Sequence, residues 1–173
     1  EAWDAQWYPD EAVHDEFFAQ GLQATRFVIQ SCIENPPPLV AVEKPFTLVF
    51  GKYSLKGKID RIDRGPDGTV RILDYKTGRA KDELDKESKE QLYLYQLALE
   101  GQGFTVSSMA YVYVLDGKTT EVEPLSPKKR EAFLQEIEER MASIMLSDFS
   151  PTPEAFTCKY CDFKAICEFR KLA

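Results

Sequence analysis

Two short stretches, Gly57-Lys58-Ile59-Asp60 and Ile72-Leu73-Asp74-Tyr75-Lys76-Thr77-Gly78, decide how this chain is read. Both have the apolar and β-branched character of strands. Between them lies Gly65-Pro66-Asp67-Gly68, a turn signal. The spacing therefore predicts neighbouring strands over 53–64 and 69–76. Side chains alternate faces along a strand, so Asp74 and Lys76 point one way while Leu73 and Tyr75 point the other. If the strands pair, Asp60 approaches Asp74. Two carboxylates make a hard oxygen pocket suited to Mg²⁺ or Mn²⁺, here with an ammonium beside it. A cation in such a pocket polarises a phosphoryl oxygen and acidifies water, and the lysine steadies developing charge. The chemistry that these groups suit is hydrolysis of a phosphodiester.

Charge at first argues against a polyanionic substrate, because the chain carries 22 basic and 29 acidic residues, a net charge of −7. Its distribution argues the other way. Lys52, Lys56, Lys58, Arg61, Arg64, Arg71, Lys76, Arg79 and Lys81 crowd the region around the two acids. Only Asp60, Asp63, Asp67 and Asp74 oppose them there. A basic surround to an acidic pocket fits nucleic acid, and Lys58, Arg61 and Arg79 are candidate substrate contacts. The bland alternative is a set of solvated strand edges. Asp63 falls on the opposite face from Asp60 and suits a salt bridge. No apolar run is long enough to span a membrane, and no signal peptide is visible. With 173 residues the chain is large enough for one core. It starts without methionine, as a piece of a longer protein would.

Periodicity supplies the remaining layout. Residues 10–34 read as an amphipathic helix, with Val13, Phe17, Phe18, Leu22, Phe27, Val28 and Ile29 on its apolar side. Pro36, Pro37 and Pro38 stop it. Short strands are expected at 39–43 and 46–50, separated by Pro45. A helix follows at 82–99, a strand at 106–115, a return strand at 119–122 and a long helix from Ser126 to about residue 146. This order implies an α/β fold, a mixed sheet flanked by helices. The division expected is a core over 1–149 and a cysteine-rich tail over 150–173.

The motifs resemble the PD-(D/E)xK nuclease superfamily in its RecB/AddB-type branch, found in bacterial helicase-nucleases. Gly57-Lys58-Ile59-Asp60 looks like that branch's glycine-x-x-aspartate motif, and Asp74-Tyr75-Lys76 like its aspartate-tyrosine-lysine motif. Gln91-Leu92-Tyr93-Leu94-Tyr95 matches a glutamine-x-x-x-tyrosine motif. Glu43 sits where the family often places a first-strand glutamate. The resemblance implies a restriction-endonuclease-like αβββαβ core and metal-dependent cleavage of single- or double-stranded DNA. It implies Mg²⁺ or Mn²⁺ on Asp60, Asp74 and the Tyr75 carbonyl, with Lys76 as the catalytic lysine. It also implies a helicase partner, a role in DNA repair or recombination, and a bacterial cytoplasmic setting. Gln91 and Tyr95 share a helix face; they either support substrate beside the metal or pack against the sheet. His14, the sole histidine, is a candidate metal ligand on a helix before the first strand, although its surroundings depart from the family motif.

Cys158-Lys159-Tyr160-Cys161 and Cys167 form a C-x₂-C-x₅-C run near the C-terminus. It looks like three ligands of the family's 4Fe–4S cluster, with Zn²⁺ as the alternative occupant. Cys32 is the fourth cysteine, placed unlike the family's first ligand, so the fourth ligand is either Cys32 or a residue further upstream. A different class of function also fits: an inactive nucleic-acid-binding module, or a metal-stabilised interaction module of a repair complex.

Overall fold

The computed structural model describes residues 5–81, 83–147 and 149–171. The chain divides into two compact units, Glu1–Glu131 and Ala132–Ala173. The first opens with helix α1 (Glu11–Glu34), whose N-cap Asp10 accepts from the Val13 N–H. Strands β1 (Leu39–Phe50), β2 (Tyr53–Arg64) and β3 (Val70–Lys76) follow, then helix α2 (Lys86–Glu100), β4 (Val106–Tyr113) and β5 (Lys118–Val122). They form one five-stranded sheet in the order β1-β2-β3-β4-β5. All neighbours are antiparallel except β3 and β4, which run parallel. A parallel pair needs a crossover, and α2 is that crossover. The sheet is therefore mixed and flanked by helices, as the element order implied.

Three expectations need correction. β1 runs unbroken through Pro45, which pairs with Lys58. β1 is an edge strand, and an edge has one side on which a missing N–H leaves no ladder bond unmade. Helix α2 starts at Lys86, with Asp85 as N-cap receiving the Ser88 N–H; Asp82, the expected start, lies outside the described residues. The apolar side of α1 contributes no buried residue, and Phe17, Phe18, Leu22 and Ile29 are exposed.

The core lies on the α2 side of the sheet. Ile59, Ile62, Ile72, Leu92, Leu99, Met109 and Tyr111 are fully buried there. Gly57 sits opposite Phe46 in the β1–β2 ladder. A Cβ on Gly57 would stand 2.7 Å from the Phe46 Cε1 and Cζ atoms, so only glycine leaves room for that ring. Phe46 in turn meets Tyr95 of α2 edge-on, with centroids 5.6 Å apart. The turn between β2 and β3 places Asp67 (φ 54) and Gly68 (φ 75) in the left-handed region, which Asp tolerates and Gly favours.

Helix α3 (Pro127–Leu146) carries the chain across the boundary between the units, and Phe133 and Ile137 are its buried side chains. The second unit continues through the short helix α4 (Ala155–Tyr160) and a 3₁₀ turn at Asp162–Ala165. Phe156, Tyr160, Phe163 and Ile166 are all exposed in this tail.

Candidate active site

The β2–β3 ladder pairs Arg64 with Val70 and ends with Arg61 opposite Leu73. The next pair in register would be Asp60 with Asp74. There the strands part, and the Asp60 side chain fills the gap: its Oδ2 accepts from the Tyr75 N–H at 2.9 Å. The N–H and C=O of one strand residue lie on the same edge, so the Tyr75 carbonyl belongs to this gap as well. The Lys76 carbonyl points the other way, accepting from the Val114 N–H of the segment after β4.

Asp74 and Lys76 project from β3 toward α2. Asp74 is only 2 % exposed. Its Oδ2 lies 2.7 Å from the Lys76 Nζ. This buried oxygen has the Lys76 ammonium as its partner and no further hydrogen bond. Helix α2 delivers Gln91 and Tyr95 one turn apart to the same place. Lys76 Nζ donates to Gln91 Oε1 at 3.0 Å, and Gln91 Nε2 donates to the Tyr95 hydroxyl at 2.8 Å. The Tyr95 hydroxyl and Gln91 Nε2 both reach Asp74 Oδ1 at 3.3 Å. Burial is the main force raising the Asp74 carboxyl above its ordinary range; the Lys76 ammonium opposes it and the Asp60 charge adds to it. The Tyr95 hydroxyl is pushed up to about 12, first by burial and then by the Asp74 charge.

One member of the cluster had no motif to announce it. Tyr111 of β4 stands beside Asp74 in the parallel register. Its ring lies under the Lys76 ammonium, 4.8 Å from centroid to Nζ. Its hydroxyl donates to the Ser88 carbonyl at 2.6 Å and lies 3.0 Å from Gln91 Oε1. Beyond Lys76, Asp116 accepts from the Ala80 N–H at 2.5 Å, which pins the loop that carries exposed Arg79.

The side chains of Glu43, Arg61 and His14 each pair with a residue outside this cluster. Glu43 is directly across β1–β2 from Asp60, yet its backbone is left-handed (φ 48). Its carboxylate is 63 % exposed and paired with Lys58 at 3.3 Å. Arg61 is on the far face of the sheet. It holds Asp63 through two bonds, of 2.8 and 2.6 Å, and donates to the Tyr75 hydroxyl at 2.9 Å. Asp63 holds the Arg61 guanidinium well above its ordinary range. Arg61, Arg71 and Tyr75 line a cavity of about 210 Å³ with Phe27 and Cys32 of α1. Arg61 thus forms an ion pair with Asp63 in this structure. His14 bonds Asp15 at 2.8 Å and stacks near Phe18. Cys32, Cys158, Cys161 and Cys167 are free and half-buried. Among the described residues no three His, Cys, Asp or Glu side chains gather into a metal-binding group. That finding leaves His14 outside the acid pair and the tail thiols ungathered.

The acid pair nonetheless suits a hard divalent cation. It offers two carboxylates, a backbone carbonyl on the same edge and one buried carboxylate oxygen held only by the Lys76 ammonium.

Comparison with known proteins places the chain in a family. A family model described as the PD-(D/E)XK nuclease superfamily matches residues 2–168. A solved structure titled "Crystal structure of SSO0001" is similar at 25 % identity and a TM-score of 0.50, over 95 % of this chain and 73 % of that one. No curated protein matches.

Proposed function

The chain belongs to the PD-(D/E)XK nuclease superfamily, and from that premise we propose that it is a metal-dependent DNA nuclease of the RecB/AddB type. The carrying observation is the convergence of Asp60, Asp74, Lys76, Gln91 and Tyr95 at the point where β2 and β3 part. Asp60, Asp74 and the Tyr75 carbonyl would hold Mg²⁺ or Mn²⁺. When bound, that ion polarises the phosphoryl oxygen and makes water a stronger nucleophile. The protein's own groups do the rest. Lys76 is held by Asp74, Gln91 and the Tyr111 ring, so its ammonium is oriented before substrate arrives. From there it positions a water for in-line attack and balances the charge that develops on phosphorus. Gln91 spans Lys76 and Tyr95, locking both, and Tyr95 fixes the Asp74 rotamer through Oδ1. By its resemblance to the superfamily, the reaction leaves a 5′-phosphate and a 3′-hydroxyl.

The proposal extends to context and tail. The chain works with a helicase in bacterial DNA repair or recombination, a reading supported by its motifs. The spacing of Cys158, Cys161 and Cys167 supports an iron–sulfur cluster that fixes the tail, with Cys32 or a residue elsewhere in the parent protein as fourth ligand. The thiols are not gathered in this structure, and the cluster has no part in the reaction.

A cleavage assay on single- and double-stranded DNA with Mg²⁺, Mn²⁺ or EDTA, run beside Lys76→Ala, tests the nuclease. Cutting that needs metal and Lys76 is expected; equal cutting by both proteins would refute it. Iron and acid-labile sulfide analysis of anaerobically prepared protein tests the cluster.

A further inference from the structure

Only the last four residues of β2, Arg61 to Arg64, pair with β3. From Lys44 to Ile59, β1 and β2 pair with each other alone. They form a two-stranded arm reaching about 24 Å from Asp60 to its tip at a rise of roughly 3.4 Å per residue.

The arm has two unlike sides. Phe46 and Phe50 are buried and Leu48 and Leu55 half-buried on one. On the other, Thr47, Val49, Ser54, Lys56 and Lys58 are exposed. The charge of the arm is all of one sign. Residues 44–59 contain Lys44, Lys52, Lys56 and Lys58 and no acid, a local charge of +4 in a chain of net −7. The first acids met on leaving the arm are Glu43, paired with Lys58, and Asp60 opposite it. Lys56 and Lys58 thus precede Asp60 at alternate positions of β2, in a stretch of strand without acids.

We infer that this arm is the track along which the sugar–phosphate backbone of a nucleic-acid strand approaches the acid pair. Alternate residues of a strand stand about 6.7 Å apart on one face, of the same order as the step between successive phosphates. Lys58 and Lys56 meet two successive phosphates in this way, with Lys52 at the tip beyond. Lys56 has no ion-pair partner among the described residues, and the Lys58–Glu43 pair is an exposed one that a phosphate readily replaces. The Ser54 and Thr47 hydroxyls can donate to phosphate oxygens between them. Such contacts read no sequence. The inference rests on the nuclease reading and adds the path of its substrate.

The test is the salt dependence of DNA binding by the full chain, measured in EDTA with a fluorescein-labelled single strand and its duplex. Each phosphate contact contributes about 0.7 (single strand) to 0.9 (duplex) to the slope of log K against log salt. Replacing Lys52, Lys56 and Lys58 together by Gln should lower the slope by roughly 2 to 3. Lys128→Gln with Lys129→Gln, exposed on α3 outside the arm, should leave it as it was. All these side chains are exposed, and a thermal melt confirms folding. An unchanged slope in the triple variant, or no binding by the parent chain, overturns the arm. A parallel cleavage assay separates the two ideas. Cleavage with an unchanged slope removes the arm alone; a lowered slope without cleavage removes the nuclease reading and leaves the arm standing.

Discussion

Gly57→Ala is the most revealing single change, because it adds one methyl group where the structure has no room. The new Cβ would lie 2.7 Å from two carbons of the Phe46 ring. That ring cannot step aside freely: it is buried and meets Tyr95 on its other side. Overpacking of this kind costs about 1–3 kcal/mol. Against it stands a gain of about 0.4–1 kcal/mol from the less flexible unfolded chain. The net loss is on the order of 1–2 kcal/mol, a fall in Tm of roughly 2–8 °C for a chain of this size. The damage should also travel. A displaced Phe46 pushes on Tyr95, whose hydroxyl holds Asp74 and Gln91, so cleavage should drop along with stability. Gly78 is the internal control: no atom lies within 4 Å of its would-be Cβ, and Gly78→Ala should be neutral or slightly stabilising. The assay is thermal unfolding of Gly57→Ala, Phe46→Leu, their combination and Gly78→Ala. The steric account requires the double variant to be more stable than the sum of its parts by at least about 0.5 kcal/mol. Additive losses, or a Gly57→Ala melt within a degree of the parent, would refute it.

Other outcomes follow from the same geometry. Lys76→Met should lower metal-dependent cleavage by about a hundred-fold or more while leaving the melt nearly unchanged, read by gel assay and calorimetry. Asp74→Asn should abolish cleavage and yet raise Tm at neutral pH. Burial holds the folded Asp74 carboxyl above its ordinary value of 3.8, so ionising it costs stability as pH rises above that value and through the raised one. The Tm advantage of Asn should therefore shrink and vanish as pH is lowered past 3.8, and an advantage that persists in acid would contradict the assignment. Tyr95→Phe removes a hydroxyl that accepts from Gln91 and donates to Asp74. It should cost roughly 1 kcal/mol and slow cleavage several-fold. Because that hydroxyl is pushed up to about 12, the shape of the pH–rate curve below pH 10 should not change.

What was legible in the sequence follows a physical division. Period-two alternation and a short turn were enough to place Asp60, Asp74 and Lys76 together, because antiparallel neighbours joined by a tight turn have one natural register. The four-residue spacing of Gln91 and Tyr95 put them on one face, and α2 delivered that face to the strands. Properties of the assembled sheet were not legible. Tyr111 reaches Lys76 only through the parallel β3–β4 register, which no local pattern encodes. Pro45 reads as a break in the sequence because its harmlessness depends on β1 being an edge. The left-handed backbone of Glu43 and its bond to Lys58 are likewise features that no local pattern announces. The apolar stripe of α1 was readable, but a stripe does not say what, if anything, covers it.

The bond from the Tyr75 amide to the Asp60 carboxylate has a spectroscopic consequence. Amides deep in a ladder keep their partners whatever binds nearby, whereas this proton is held by a side chain that can turn. A cation drawing the Asp60 oxygens toward itself would lengthen that one bond, and the Tyr75 resonance in a ¹⁵N-edited spectrum would move upfield before its neighbours in β3. Titrating Mg²⁺ against a labelled sample would read occupancy from a single peak, without substrate and without turnover.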